Sequence, residues 1–196
     1  MKKIMMIVFA TGVLCTLVSG VFATTLLTGT LTADDGFKAY ISTSDTSQGY
    51  QIGSGTTWAS MYSLNSTLLT ASKYYLHIEA WDNAGVIAGF LGDFNLSGTG
   101  YVFANGTQSL LTNTSDWNVS AKGFGENYTT PTVVTPHPSW FKPSSNQSWI
   151  WTDGGQALYQ TRYFSTEITA VPEPGSILAA CSILAPVGFV FRRKKK

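Results

Sequence analysis

Apolar and polar residues alternate with a period of two through much of the middle of the chain. In residues 36–42, Phe37, Ala39 and Ile41 fall on one side, with Lys38, Tyr40 and Ser42 on the other. In residues 74–81, Tyr74, Leu76, Ile78 and Ala80 oppose Tyr75, His77, Glu79 and Trp81. Successive side chains of a strand point to opposite faces, so each run predicts a strand with one buried face. Residues 86–91 form a short apolar run read as a third strand, and residues 161–169 as a last one. Order returns at Trp149-Ile150-Trp151. Polar clusters at residues 42–49, 53–57 and 95–100 read as turns, and no helical period is evident. Residues 110–140, broken by Pro131, Pro136 and Pro138, predict a loop-rich excursion over one end of the fold. The pattern predicts an all-β chain with a single β-sandwich domain, jelly-roll-like, over residues 24–170. No internal repeat supports a solenoid or propeller.

Both ends of the chain break this pattern. Residues 1–23 read as a signal peptide: Lys2 and Lys3 precede an apolar core from Ile4 to Val18, and Val21-Phe22-Ala23 supplies a cleavage point before Thr24. Cys15 lacks the small preceding residue of a lipidation site, which argues against a lipoprotein. At the other end, Val171, Pro172, Glu173, Pro174, Gly175 and Ser176 form a stiff polar hinge, because two prolines fix φ around Glu173. From Gly175 to Phe191 run 17 uncharged residues, at the lower limit for a membrane-spanning helix and interrupted by Pro186. Arg192, Arg193, Lys194, Lys195 and Lys196 then form a stop-transfer block that keeps the C-terminus in the cytoplasm.

Motif, apolar stretch and basic end in this order at the extreme C-terminus resemble the PEP-CTERM sorting signal of Gram-negative bacteria. The resemblance covers residues 171–196, with a transmembrane helix at about residues 175–191. It implies handling by exosortase, a membrane protease-transferase, with cleavage near Pro172–Ser176 and outward transfer of the domain. A plain membrane anchor needs the helix and the charges but not the Pro-Glu-Pro-Gly-Ser motif.

Charge is segregated along the chain. Residues 24–170 hold five basic residues (Lys38, Lys73, Lys122, Lys142, Arg162) against ten acidic ones, a net of −5. A mildly acidic surface repels nucleic acid and excludes it as a partner. Both cysteines, Cys15 and Cys181, fall outside this segment, so the domain has no disulfide, thiolate nucleophile or cysteine metal site. Stability must come from packing, which an aromatic content of 13% can supply.

A second likeness runs through the middle. Thr32-Ala-Asp-Asp-Gly-Phe-Lys-Ala-Tyr-Ile41, Trp58, Ala80-Trp-Asp-Asn-Ala-Gly-Val-Ile-Ala-Gly-Phe90 and Ser148-Trp-Ile-Trp151 together are similar to galactose-binding-like jelly-roll domains of bacterial surface proteins. This chain departs from their pattern at Ser42-Thr43, where an Asn-Gly turn is expected. Asp34 and Asp35 can hold a hard cation such as calcium, but without Asp-x-Asp-x-Asp spacing the favoured reading is an Asx-turn serving local backbone N–H groups. Asp82-Asn83-Ala84-Gly85 reads first as a turn, with Gly85 at positive φ. Trp58, Trp117 and Trp140 stand beside polar loop residues and are candidate sugar-stacking platforms, although core packing is the commoner use of tryptophan. Trp81, Trp149 and Trp151 read as core.

Catalytic templates are missing. Asp34 and Asp35 would point to opposite faces of an extended strand, the wrong arrangement for a glycosidase pair. Glu79 has no partner in the sequence, and His77 reads as a surface or hydrogen-bonded residue. No nucleophile elbow, zinc-protease helix or phosphate loop occurs. The expectation is a non-enzyme without cofactor.

Seven of the eight asparagines head an Asn-x-Ser/Thr sequon: Asn65, Asn95, Asn105, Asn113, Asn118, Asn127 and Asn146. Ser and Thr frequency alone predicts about two. Asp93 and Asp116 lie two residues before Asn95 and Asn118, the longer acceptor form of bacterial oligosaccharyl transfer. Polar loops rich in Asn, Ser and Thr produce the same pattern without glycans. The sequence thus predicts an exported surface or extracellular-matrix protein, transiently membrane-anchored, structural or adhesive in exopolysaccharide or biofilm. Its expected partners are an exosortase-type enzyme, the membrane and polysaccharide. The alternatives are a carbohydrate-binding lectin-like module and, less favoured, a secreted glycosidase.

Overall fold

The structure is a computed structural model that describes residues 24–156 and 158–172. The signal peptide, Glu173 to Ser176, the apolar tail and the basic block lie outside the described residues. Twelve strands form two antiparallel six-stranded sheets, and the described residues contain no α-helix. The first sheet holds β1 (Thr25–Ala33), β4 (Tyr62–Leu68), β6 (Phe90–Leu96), β8 (Ser109–Leu111), β10 (Thr132–Val133) and β11 (Ile150–Trp151). Its order is β10-β11-β6-β1-β4, with β8 also on β6. The second holds β2 (Gly36–Ser42), β3 (Tyr50–Gly55), β5 (Lys73–Trp81), β7 (Tyr101–Phe103), β9 (Asn118–Ser120) and β12 (Thr161–Ala170). Its order is β3-β2-β5-β12-β7, with β9 also on β12. The expected β-sandwich is present.

Most connections change sheet. Among the described strands only β2–β3 and β10–β11 stay within one, so the two layers are repeatedly stitched together. The alternation predicted for β2 and β5 holds on the inner face: Phe37, Ala39, Ile41, Leu76, Ile78 and Ala80 are all core. The inner faces meet through an aromatic chain. Phe90 and Phe94 of the first sheet contact Trp117 at ring-centroid distances of 5.3 and 5.5 Å, and Phe164 of the second lies 5.1 Å from Phe90. Trp151 closes the chain at 5.6 Å from Phe164. Tilted and edge-on geometries place ring edges against ring faces, the favourable arrangement for aromatic pairs. Gly29 and Gly92 make room for this packing, because a Cβ at either would come within 2.5 or 2.7 Å of the Phe94 ring.

Three sequence expectations need correction. Residues 86–91 are not a strand of their own: β6 begins at Phe90 and runs on to Leu96. The residues before it form a crossover loop, bent by Gly85 at φ 69° and held by the Ala88 N–H bond to the Gly155 carbonyl. Strands β3 and β4 occupy stretches read as turn or left unassigned, because as sheet-edge strands they carry few apolar residues. The excursion of residues 110–140 supplies β8, β9 and β10, and its residues 121–129 lie across the outer face of the second sheet rather than over an end. There Phe124 stacks on His77 at 4.1 Å and meets Tyr40 and Tyr163 edge-on.

Candidate functional site

The candidate site lies where two crossovers leave the same end of the sandwich. Asp34 and Asp35 form the β1–β2 connection, and Asp82 opens the β5–β6 connection. Because β2 pairs with β5 so that Gly36 faces Trp81, residues separated by nearly fifty positions become neighbours. Backbone bonds fix the two turns together: Asp34 N–H to the Gly89 carbonyl at 3.0 Å, and Asp35 N–H to the Trp81 carbonyl at 3.4 Å. One carboxylate oxygen from each of Asp34, Asp35 and Asp82 falls within 4.8 Å of the others.

The three carboxylates are not equivalent. Asp82 is 1% exposed, and both its oxygens are occupied: Oδ1 accepts from Ala84 N and Gly85 N at 3.0 Å, and Oδ2 from Tyr159 N at 2.6 Å. Half-buried Asp35 accepts through Oδ2 from Ala84 N at 2.7 Å and from Asn83 N. Asp34 is 6% exposed, and its buried Oδ2 has no hydrogen-bond partner. Burial, then the charges of Asp35 and Asp82, push the Asp34 carboxyl up to about 7. Among the described residues no lysine, arginine or histidine lies within salt-bridge distance of the three.

These contacts revise two readings. Asp34 and Asp35 converge instead of diverging, because the chain bends between β1 and β2 and is not extended there. Asp35 serves backbone N–H groups 48 and 49 residues away, so it ties two loops together rather than forming a local Asx-turn. Asp82 does form the expected turn, with Gly85 at positive φ. Its place in the cluster was invisible in the sequence; the available signal was that two acidic turns flank strands that pair.

A second polar centre lies under the residue 121–129 segment. Asp45 Oδ1 accepts from Tyr128 OH and Ser165 Oγ, both at 2.9 Å, and meets His77 Nε2 at 3.3 Å. His77, expected on the polar face, is on that face but fully buried beneath Phe124. Burial lowers its pKa against the opposing pull of Asp45, which favours the neutral ring. Glu79 accepts from Tyr40 OH at 3.0 Å on the same face.

Two of the tryptophans proposed as sugar platforms are core residues. Trp117 is 2% and Trp140 6% exposed. Trp117 Nε1 donates to the Leu111 carbonyl at 3.2 Å, and Trp140 packs on Trp149 at 4.4 Å. Loop position in the sequence did not mean exposure, since these loops fold back over the sheets. Trp58 is half-buried against the core, and Trp149 and Trp151 are core as expected. Trp81, expected in the core, is instead half-buried on the outer face of β5, opposite core Ala80, with the Lys38 ammonium 6.0 Å from its ring. A cleft of about 650 Å³ opens between the β3 and β4 edges, lined by Gly49, Asn65, Thr67 and Tyr74, with Tyr50 at its rim 74% exposed. Of the sequon asparagines, Asn113 is half-buried and bonded to Asp116 at 2.6 Å; the other six are exposed.

Comparison with family models, with curated proteins and with solved structures finds no match to this chain in any of the three.

Proposed function

We propose that this is an exported surface or matrix protein whose β-sandwich is delivered and then released by processing of a PEP-CTERM-like C-terminal signal. The observation that carries the reading is the sequence of residues 171–196, in which motif, apolar stretch and basic block occur in order. The fold supports it at the junction. The last strand, β12, ends at Ala170, and Val171 and Pro172 emerge exposed immediately after it. A protease acting just beyond Pro172 would leave the sandwich intact, and Pro172 favours an extended backbone at Val171 before it. The domain itself is proposed as a jelly-roll of the galactose-binding-like kind with a structural or adhesive role. Six exposed sequons suit glycan attachment on its surface.

The test follows N- and C-terminal epitope tags in a bacterium that carries exosortase. The expected result is loss of the C-terminal tag from the wild-type protein and its retention when Pro172, Glu173 and Pro174 are replaced by alanine. Equal retention in both overturns the sorting reading and leaves a simple anchor.

Carbohydrate binding is the second reading, favoured by exposed Tyr50 beside a cleft lined by Asn65, Ser66 and Thr67 as well as apolar Ile41 and Leu69. An aromatic face next to hydroxyl and amide groups is suited to stacking on a sugar ring while hydrogen-bonding its hydroxyls. Glycan-array signal lost in Tyr50→Ala would support it, and signal unchanged in that variant would exclude the cleft. The glycosidase alternative gains nothing from the convergent aspartates. Asp34 and Asp82 are buried, which keeps a glycosidic bond from reaching them as an acid pair.

A further inference from the structure

We propose that Asp34, Asp35 and Asp82 form a binding site for a hard divalent cation, calcium in preference to magnesium, which clamps the β1–β2 crossover to the β5–β6 crossover. The first observation is convergence: three carboxylates from two loops bring one oxygen each within 4.8 Å of one another. The second is independent of the cluster's charge. Asp34 is more than nine-tenths buried, and its Oδ2 has no hydrogen-bond partner in the protein. Buried polar atoms are almost always partnered, so an orphaned carboxylate oxygen beside two other carboxylates asks for a positive partner.

The donor chemistry narrows the ligand. All three side-chain donors are oxygen, with no thiolate and no imidazole in the group, which selects a hard cation over zinc or copper. Coordination preference narrows it further. Calcium readily takes several carboxylates, whereas magnesium dehydrates reluctantly and is usually held by one or two. Three converging carboxylates therefore favour calcium. The backbone bonds already made by Asp35 and Asp82 hold those side chains in place before any ion arrives. Such preorganisation lowers the ordering cost of binding.

The consequence is mechanical. The cation would neutralise three repelling carboxylates at the one place where both crossovers meet. It would thereby order residues 82–89, a loop carrying exposed Val86.

The experiment uses the full chain in detergent, stripped with chelator and then titrated with calcium chloride, with the melting temperature as readout. A rise of about 5–10 °C is expected at a hundredfold excess over Kd, with a much smaller rise for magnesium. Asp34→Asn should abolish the calcium-dependent rise. Its own metal-free melting temperature should equal or exceed that of metal-free wild type, since one of three repelling charges is gone. Terbium luminescence sensitised by Trp81, next to Asp82 in sequence, gives a direct binding signal that should also vanish in Asp34→Asn. If Asp34→Asn does not fold, Asp35→Asn, at the half-buried rim, takes its place and should weaken both signals at least tenfold. No calcium shift in folded wild type at 10 mM overturns the proposal and leaves a shared proton between Asp34 and Asp82 as the resolution of the orphaned oxygen. A shift that persists undiminished in the folded variant overturns it as well, by placing the ion elsewhere. An equal shift with magnesium overturns the preference for calcium.

Discussion

Replacing Trp117 with alanine removes one of the largest buried side chains from the contact between the two sheets. The ring is 2% exposed, meets Phe90 and Phe94, and anchors its N–H to the Leu111 carbonyl. Truncating a buried tryptophan costs about 3–5 kcal/mol through lost transfer energy and the cavity left behind. Phe90 is itself held by Phe164, which packs on Trp151, so the cavity has little room to collapse and the upper half of that range is expected. Trp117→Phe separates the contributions. It keeps an aromatic ring against Phe90 and Phe94 but removes the indole N–H bond to the Leu111 carbonyl, which still accepts from Asn113 Nδ2, so the lost bond costs about 0.5–1.5 kcal/mol. Urea denaturation of the purified protein measures both, read as the midpoint at constant slope, and a domain of this size should lose about 2–4 °C of melting temperature per kcal/mol. A loss below about 1 kcal/mol for Trp117→Ala would refute the placement of this ring in the core. It would return Trp117 to the surface role that its loop position first suggested.

Other consequences are more local. Gly29→Ala should destabilise by about 1–3 kcal/mol, since its Cβ would collide with the Phe94 ring, and the same urea titration reads it. His77 has a folded pKa below its unfolded value of about 6.5, so the unfolded state binds the proton more readily. Its contribution is therefore complete above about pH 6.5 and declines as pH falls below it. Relative to wild type, His77→Phe, which retains the stack on Phe124, should lose less melting temperature between pH 7 and pH 5; parallel curves would contradict a buried neutral histidine. Lys73 and Glu167 bond at 2.8 Å but are both well exposed, so breaking the pair with Lys73→Ala should cost no more than about 1 kcal/mol in the same assay. An intact-mass spectrum of the exported protein should exceed the bare polypeptide by discrete sugar increments, and a mass equal to the polypeptide would reject glycosylation.

The inner face of β2 and β5 was legible because period-two alternation reports burial directly, as Phe37, Ala39, Leu76 and Ile78 illustrate. Strand β4 was not, because an edge strand with Leu64 and Leu68 as its core contacts leaves too few apolar positions to fix a period. The outer layer was illegible for a different reason. Tyr40 and His77 point away from the core yet are buried, because residues 121–129 return to cover them. Alternation distinguishes the two faces of a sheet but cannot say that a loop will cover the second. The acidic cluster depends on strand pairing: Asp34 and Asp35 were singled out, but Asp82 joins them only once β2 lies beside β5.

The central claim, that the sandwich is exported and then freed of its tail, is tested most directly by sequencing both termini of the mature protein recovered outside the cell. The account predicts an N-terminus at Thr24 and a C-terminus within residues 172–176. Recovery of a chain that still carries Arg192 to Lys196 would contradict it.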